Sequence, residues 1–385
     1  MAFDAAREEY QLLSIRYLRD HKLTDSYGMA REAAAFRRQF ARNHDALPQT
    51  DQDRAFHLMA QAVTLIDNEL PFVEAEDDAY ALIQEAQGLL SESVSLDPGC
   101  FDAQRALTAQ QSPTREAYYR YLKDGEAHTW EVCQARAQEA LKSSQVASDL
   151  EARLLLFPAY RWTAALASHA LVCGRYSIAR DAAEKLLAQD SEDVADARFT
   201  AALAYAKLED GEGFLSLRKR TRKMRNRPAP DAWASFAFMA LSAKANDYKL
   251  AREILHQILR IYPHAAYVLS QSSAVPEGIF ARMAVEPYSN DELVLATSEA
   301  LVLLQEGVDL KGYGTLGAFM LQDPLVRQKA EEDERELRAM LTNGPVPLDA
   351  SSMSKGPDAF PQDGEGGWDL DGPSDLLGDW GQSRS

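Results

Sequence analysis

Apolar residues recur along this chain at intervals of three and four residues, the spacing that places them on one face of an α-helix. Alternating runs of β-branched and polar residues between turn residues are missing, so the sequence predicts no strand. We therefore predict an all-α fold up to about residue 342. The predicted helices lie at about 3–19, 26–43, 51–68, 78–95, 100–109, 114–122, 127–145, 149–173, 176–188, 193–208, 212–224, 230–244, 248–261, 290–306, 312–321 and 325–342.

The segment NDYKLAREILHQILRIYPH, residues 246–264, repeats a pattern found 72 residues earlier in the chain. Two units of about 34 residues with a few inserted residues would produce this offset. Small residues allow two helices to cross closely, and Pro263 is suited to end the second helix of a pair. The matched pairs are Tyr248 and Tyr176, Ala251 and Ala179, Leu255 and Ala183, and Ile258 and Leu186.

This pattern resembles the tetratricopeptide repeat family, clearly over 160–265 and in part over 78–111. Over about 78–320, the order of LDPGCFDA, RYSIARDAAEKLL, LAYAKLED, IYPHAAYVL and EPYSNDELVLATSEALVLL is similar to the suppressor of tumorigenicity seven family and its bacterial relatives. The resemblance implies a solenoid of stacked helical hairpins, a fold that binds protein partners. A generic antiparallel helical bundle is the alternative. We expect N-terminal helices over 1–48, the solenoid over 49–342 and a tail over 343–385.

The chain of 385 residues carries a net charge of −18. Nucleic acid and anionic membranes repel such a protein unless a local basic patch reverses the field. No apolar run approaches the roughly 18 residues of a membrane span, although the animal members of the resembled family are membrane-anchored. The start of the chain has no apolar stretch after a basic one, so no signal peptide is predicted. The three cysteines are scattered, which favours a cytoplasmic protein with reduced thiols.

Little in the sequence suggests catalysis. GYGTLG at 312–317 has the glycine spacing of a dinucleotide loop, but helical residues precede it, so it is interpreted as a helix start or a close helix contact. No two of the seven histidines are three or four residues apart, although histidines from distant segments could still meet. The sequence contains neither a G-x-S-x-G elbow nor a P-loop. We therefore expect no enzyme activity, no cofactor and no metal.

Two charged segments are candidates for partner binding. The basic run RKRTRKMRNR, residues 218–227, includes Arg218, Arg222 and Arg225 and is either a solvated helix end or a site for phosphate, RNA or an acidic peptide. The tail over 343–385 is rich in Gly, Pro, Ser and Asp and is predicted to be disordered. Its Trp368 and Trp380 could dock into a partner, the alternative being an inert tail. The tail could also fold back onto the basic run and compete with a ligand.

Four aromatic residues are candidates to line an apolar groove of the predicted solenoid: Trp162, Phe199, Trp233 and Phe236. Packing between repeats is the alternative for them. The Lys and Asn of a carboxylate clamp are absent from the matching positions. We therefore predict a non-catalytic adaptor that binds a protein or peptide. The second hypothesis is an RNA- or phosphate-binding module that uses the basic run, although nucleic acid is not the partner we expect.

Overall fold

The computed structural model describes residues 4–21, 26–142, 148–222, 230–272, 285–307 and 314–343. Within these ranges every regular element is a helix, which confirms the all-α prediction. The described residues form two compact units, one up to Ala201 and one from Ala202 onward. This division falls inside the segment 49–342 that the sequence assigns to one solenoid. The segment beyond Asn343 lies outside the described residues.

In the first unit, α3 (Asp51–Thr64) packs against α4 (Glu76–Leu96), and α8 (Phe157–Val172) packs against both α6 (Arg115–Lys142) and α9 (Tyr176–Gln189). The helices are α1 (Ala5–Asp20), α2 (Ser26–Asn43), α3 (Asp51–Thr64), α4 (Glu76–Leu96), α5 (Phe101–Gln111), α6 (Arg115–Lys142), α7 (Ser148–Leu154), α8 (Phe157–Val172) and α9 (Tyr176–Gln189). Short 3₁₀ turns occupy His44–Ala46 and Leu70–Phe72, and a π-helical turn occupies Leu65–Glu69.

Helix α10 (Ala197–Lys207) contains the division between the units, and the second unit continues from it. Within the second unit α12 (Ala232–Lys244) packs against α13 (Tyr248–Ile261) and α15 (Asn290–Leu304), and α14 (Ala265–Ser270) packs against α17 (Pro324–Asn343). The remaining helices are α11 (Gly211–Thr221), α12 (Ala232–Lys244), α13 (Tyr248–Ile261), α14 (Ala265–Ser270), α15 (Asn290–Leu304), α16 (Thr315–Gln322) and α17 (Pro324–Asn343).

Three helical hairpins turn through the same backbone geometry. Gly174, Glu209 and Asn246 each have a left-handed φ, of 73°, 56° and 63°. In each turn this residue donates its N–H to the carbonyl three residues before it, and the next residue donates to the carbonyl five residues before itself. These are the bonds that satisfy the free carbonyls at a helix end. The helices that follow the first and third turns, α9 and α13, begin 72 residues apart, at Tyr176 and Tyr248.

Helix α6 is continuous where the sequence predicts a break between 122 and 127. Gly125 lies at this position because the indole of Trp162 packs on it. A Cβ on Gly125 would lie 2.5 Å from Cζ2 of Trp162. Trp162 Nε1 also donates a hydrogen bond to the carbonyl of Leu122 at 2.8 Å. The glycine therefore serves close helix packing and does not end the helix.

Two other differences from the predicted elements follow from turn residues. The single helix predicted over 149–173 is divided into α7 and α8, and Pro158 lies in the first turn of α8, where its missing N–H costs nothing. Helix α14 was not predicted. It begins after Pro263, where His264 adopts a left-handed φ of 46°. Of the segment 312–317 the structure describes 314–317. Gly314 is the N-cap of α16, and a Cβ on it would collide with the backbone of Leu304 and Gln305, which agrees with a helix start and close packing at this glycine.

Candidate functional site

The four aromatic candidates for a groove lie in the protein interior. Trp162, Phe199, Trp233 and Phe236 are all less than 5% exposed. Helix α12, which carries two of them, is apolar on all sides and is covered by α13 and α15. Trp233 Nε1 donates to Glu299 Oε2 at 2.8 Å within the second unit. Their positions correspond to the packing alternative, and a ligand could reach them only in a conformation that exposes them.

The basic run begins on the last turn of α11. Arg218 is half-buried, whereas Lys219, Arg220 and Arg222 are exposed. Cations at this end of a helix interact favourably with the negative end of its dipole, so the fold alone gives them a role. Arg225 and the tail residues Trp368 and Trp380 lie outside the described residues.

The most exposed large apolar side chains in the described part of the chain are Phe72 and Tyr80, which are 83% and 64% exposed. Phe72 ends the 3₁₀ turn Leu70–Phe72, and Tyr80 lies in the second turn of α4. The two elements pack against each other. A benzyl side chain left almost wholly in water loses the free energy that burial would provide, on the order of 2 kcal/mol. Such exposed aromatics are typical of surfaces that bind partners.

Four carboxylates lie between these two aromatic residues in the sequence. Glu76 and Asp77 precede Tyr80 by four and three residues on α4, so they share its face of the helix. Within the described chain none of the nearby carboxylates forms an ion pair with a basic side chain. We call this set the acidic aromatic surface; its members are Phe72, Glu74, Glu76, Asp77, Asp78 and Tyr80, all exposed. Our sequence reasoning missed it, although the string FVEAEDDAY, two aromatics bracketing an acidic run, was a visible signal.

A second polar cluster lies where α1, the 3₁₀ turn His44–Ala46 and α3 meet. His57 is buried, and its Nδ1 donates to Glu9 Oε1 at 2.5 Å. His57 Nε2 lies 3.4 Å from Asp45 Oδ1, and His44 Nε2 lies 3.1 Å from the same oxygen. The hydrogen bond to Glu9, opposed by burial, raises the pKa of His57. The sequence spacing of these histidines gave no signal, because the fold brings them together.

Buried ion pairs connect α1, α5 and α8. Arg161 donates two hydrogen bonds to Asp102, at 2.9 and 2.5 Å, and one to Glu8 at 2.6 Å. Burial raises the pKa of Asp102, but the bidentate contact with Arg161 contributes to a larger opposite effect, so the net shift of this pKa is downward. Burial raises the pKa of Glu8 to about 7 in spite of its contact with Arg161. One cation thus faces two carboxylates, and the one with the weaker contact keeps its proton more readily.

A narrow cleft of about 60 Å³ lies in the first unit beside this network. Its two arginines are engaged: Arg16 pairs with Asp53, and Arg136 pairs with Asp97 at 2.7 Å. The cleft therefore presents no unpaired cation to an anionic ligand. Cys100 and Cys133 also line it, and burial raises the pKa of these thiols to about 11 and 12. Thiols with such pKa values are poor nucleophiles at neutral pH.

No helix in the described part of the chain combines the length and the apolar character that a membrane crossing requires. A comparison with known proteins finds no matching family model, no matching curated protein and no matching solved structure. The functional assignment therefore depends on the chain's own geometry.

Proposed function

We propose that this protein is a non-catalytic scaffold that binds a protein or peptide partner in the cytoplasm. The observation that carries the proposal is the recurrence of one hairpin turn at Gly174, Glu209 and Asn246, at intervals of 35 and 37 residues. Repeated hairpins of this length are typical of tetratricopeptide solenoids, whose extended surfaces bind other proteins. We also propose that the helical hairpins stack as such a solenoid. We further propose that the chain is related to the tetratricopeptide and suppressor of tumorigenicity seven families.

The acidic aromatic surface is the part of the scaffold that we assign to the partner. Phe72 and Tyr80 supply apolar area that is already exposed, and aromatic residues are frequent hot spots of interfaces. Acidic residues at the start of α4 also stabilise the helix dipole, which accounts for the carboxylates without any partner. That explanation does not account for the two exposed rings. A partner segment that combines basic and apolar side chains complements both features.

Selection from a displayed peptide library tests this assignment. The bait is the full chain, compared with a variant carrying Phe72→Ser and Tyr80→Ser. The matched control carries Leu141→Ser and Leu150→Ser, because these side chains are also exposed and apolar. We expect the wild type and the control to enrich peptides that combine basic and apolar residues, and the Phe72/Tyr80 variant to lose them. Equal enrichment on all three baits would contradict the assignment.

The second candidate function is binding of RNA or phosphate by the basic run. The observation in its favour is that Lys219, Arg220 and Arg222 all present exposed side chains at the end of α11. Phosphate contacts make affinity fall steeply with salt, whereas apolar contacts respond little. Filter binding of RNA at low and high salt, with Lys219→Glu and Arg222→Glu as the variant, separates the two functions. Salt-sensitive binding lost in this variant would favour the basic run.

The proposal extends to the segment 343–385, in which Trp368 and Trp380 interrupt an acidic background. We propose that this segment competes with external ligands for the basic run. Deleting residues 343–385 is then expected to strengthen ligand binding. Unchanged affinity after the deletion would contradict competition by the segment while leaving the scaffold function intact.

A further inference from the structure

Three side chains with metal-binding atoms converge beside α3. His44 Nε2 lies 3.1 Å from Asp45 Oδ1, and His57 Nε2 lies 3.4 Å from it. One ligand atom from each of the three residues lies within 4.8 Å of the others. Bonds of about 2.0–2.1 Å to a tetrahedral zinc ion separate its ligand atoms by about 3.3–3.4 Å. Two of the three separations are already close to this value.

Contacts around the histidines orient their rings for such a role. Glu9, itself buried, accepts the hydrogen bond from His57 Nδ1. A carboxylate at one ring nitrogen fixes the tautomer that turns the lone pair of the other nitrogen towards a metal. The ring of His44 is held between Phe40 and His57, with centroid distances of 5.2 and 5.3 Å.

The outer side of the cluster allows an ion to enter. Asp45 is exposed and His44 is about half exposed, so the cluster lies at the protein surface. The side-chain amide of Gln61 lies 3.0 Å from His57 Nε2 and must rotate away when an ion binds there. Without an ion, His57 can instead hold two protons and pair with both Glu9 and Asp45. In the first state an ion lies between the three ligand atoms, and in the second a proton on His57 Nε2 faces Asp45.

We propose that His44, Asp45 and His57 bind one zinc ion, with Glu9 as the outer partner of His57 and one coordination position left for water. Two imidazoles and a carboxylate form a ligand set that suits Zn²⁺. The ligands belong to the 3₁₀ turn His44–Ala46 and to α3, so the ion connects these two elements. Bound zinc therefore stabilises the fold of this region by mass action.

Zinc titration of the full, tag-free chain in competition with a chromophoric chelator tests the site. The variants are His44→Ala and Asp45→Asn, because both residues are solvent-accessible and His57 is packed on Glu9. The control is His256→Ala, since His256 also pairs with an aspartate, Asp323, at 3.1 Å but belongs to no group of three metal-binding side chains among the described residues. We expect one ion per chain, with an affinity about tenfold or more lower in each variant and unchanged in the control.

Two further readouts distinguish a built site from loose surface binding. Zinc at 100 times its dissociation constant is expected to raise the melting temperature of the wild type by about 5 °C and to leave the Asp45→Asn variant almost unchanged. Cobalt in place of zinc is expected to give the absorption of a four-coordinate ion. The absence of saturable zinc binding, or equal binding in the wild type and both variants, would overturn the proposal and assign the cluster to an ion-pair network.

Discussion

Gly174 and Asn246 occupy the same position in two helical hairpins, 72 residues apart, and both have a left-handed backbone. Gly174 donates to the carbonyl of Leu171 at 3.1 Å, and Asn246 donates to that of Ala243 at 3.0 Å. Only one of the two is glycine, the residue that adopts this conformation without a steric cost. The same turn is therefore made with different amounts of backbone strain.

Opposite effects on stability are expected at these two positions. Gly174→Ala is expected to lower the free energy of unfolding by about 1–2 kcal/mol, because an L-residue is strained there even though no atom lies within 4 Å of the added Cβ. Asn246→Gly relieves strain and is expected to raise it by about 0.5 kcal/mol, since the gain is partly offset in the unfolded chain. Urea denaturation measures both. If both substitutions changed the free energy of unfolding by the same amount and in the same direction, the two turns would not be equivalent.

The burial of Glu8 makes stability depend on pH. The pKa of Glu8 is raised from an ordinary 4.5 to about 7, because burial disfavours its charged form. The folded state therefore binds a proton more tightly than the unfolded state. The stability that this provides is complete below about pH 4.5 and is lost as the pH rises through 7.

Glu8→Gln removes this titration and keeps the shape of the side chain. Between pH 5 and pH 8, as rough limits of the transition, the wild type is expected to lose stability relative to the variant by an amount on the order of 3 kcal/mol. Chemical denaturation of both proteins across this range gives the difference. If the wild type instead became more stable than the Glu8→Gln variant as the pH rises, the upward shift of the Glu8 pKa would be contradicted.

Gly125 and Gly88 provide a matched pair of helix glycines. Gly125→Ala places a methyl group against Trp162 in α6 and is expected to destabilise the protein by about 1–3 kcal/mol. Gly88→Ala in α4 meets no atom within 4 Å and is expected to stabilise it by up to about 1 kcal/mol through helix propensity. Thermal or urea denaturation measures both. Stabilisation by Gly125→Ala would contradict the packing of Trp162 on this helix.

The three cysteines are expected to differ in reactivity in the folded protein. Burial protects Cys100 and Cys133 and raises the pKa of these thiols to about 11 and 12. Burial also raises the pKa of Cys173, but this thiol is only half-buried, so a reagent can reach it. A thiol reagent at neutral pH should therefore modify Cys173 first, and the other two only when the protein unfolds. Mass spectrometry of the labelled peptides identifies the order. Rapid labelling of Cys133 under native conditions would contradict its described burial.

Helix periodicity predicted the fold class and the equivalent starts of α9 and α13, because local spacing determines both. It failed at Gly125, where Trp162, distant in sequence, decides that the helix continues. For Trp233 and Phe236 the sequence left a groove and packing between helices as alternatives, because only the folded chain shows that α15 covers α12. The contacts among His44, Asp45 and His57 depend on the same long-range packing. The exposure of Phe72 is likewise a property of the folded surface, which residue type alone does not reveal.

The most direct test of the proposed scaffold is the affinity of a selected basic and apolar peptide, measured by calorimetry at low and high salt. Replacing Phe72 and Tyr80 by serine is expected to weaken binding more than tenfold, because hot-spot aromatics contribute about 2 kcal/mol or more. Replacing Leu141 and Leu150 by serine should leave the affinity unchanged. High salt should weaken the binding of the wild type but not abolish it. Equal affinity of the wild type and the Phe72/Tyr80 variant would contradict the assignment of this surface to the partner.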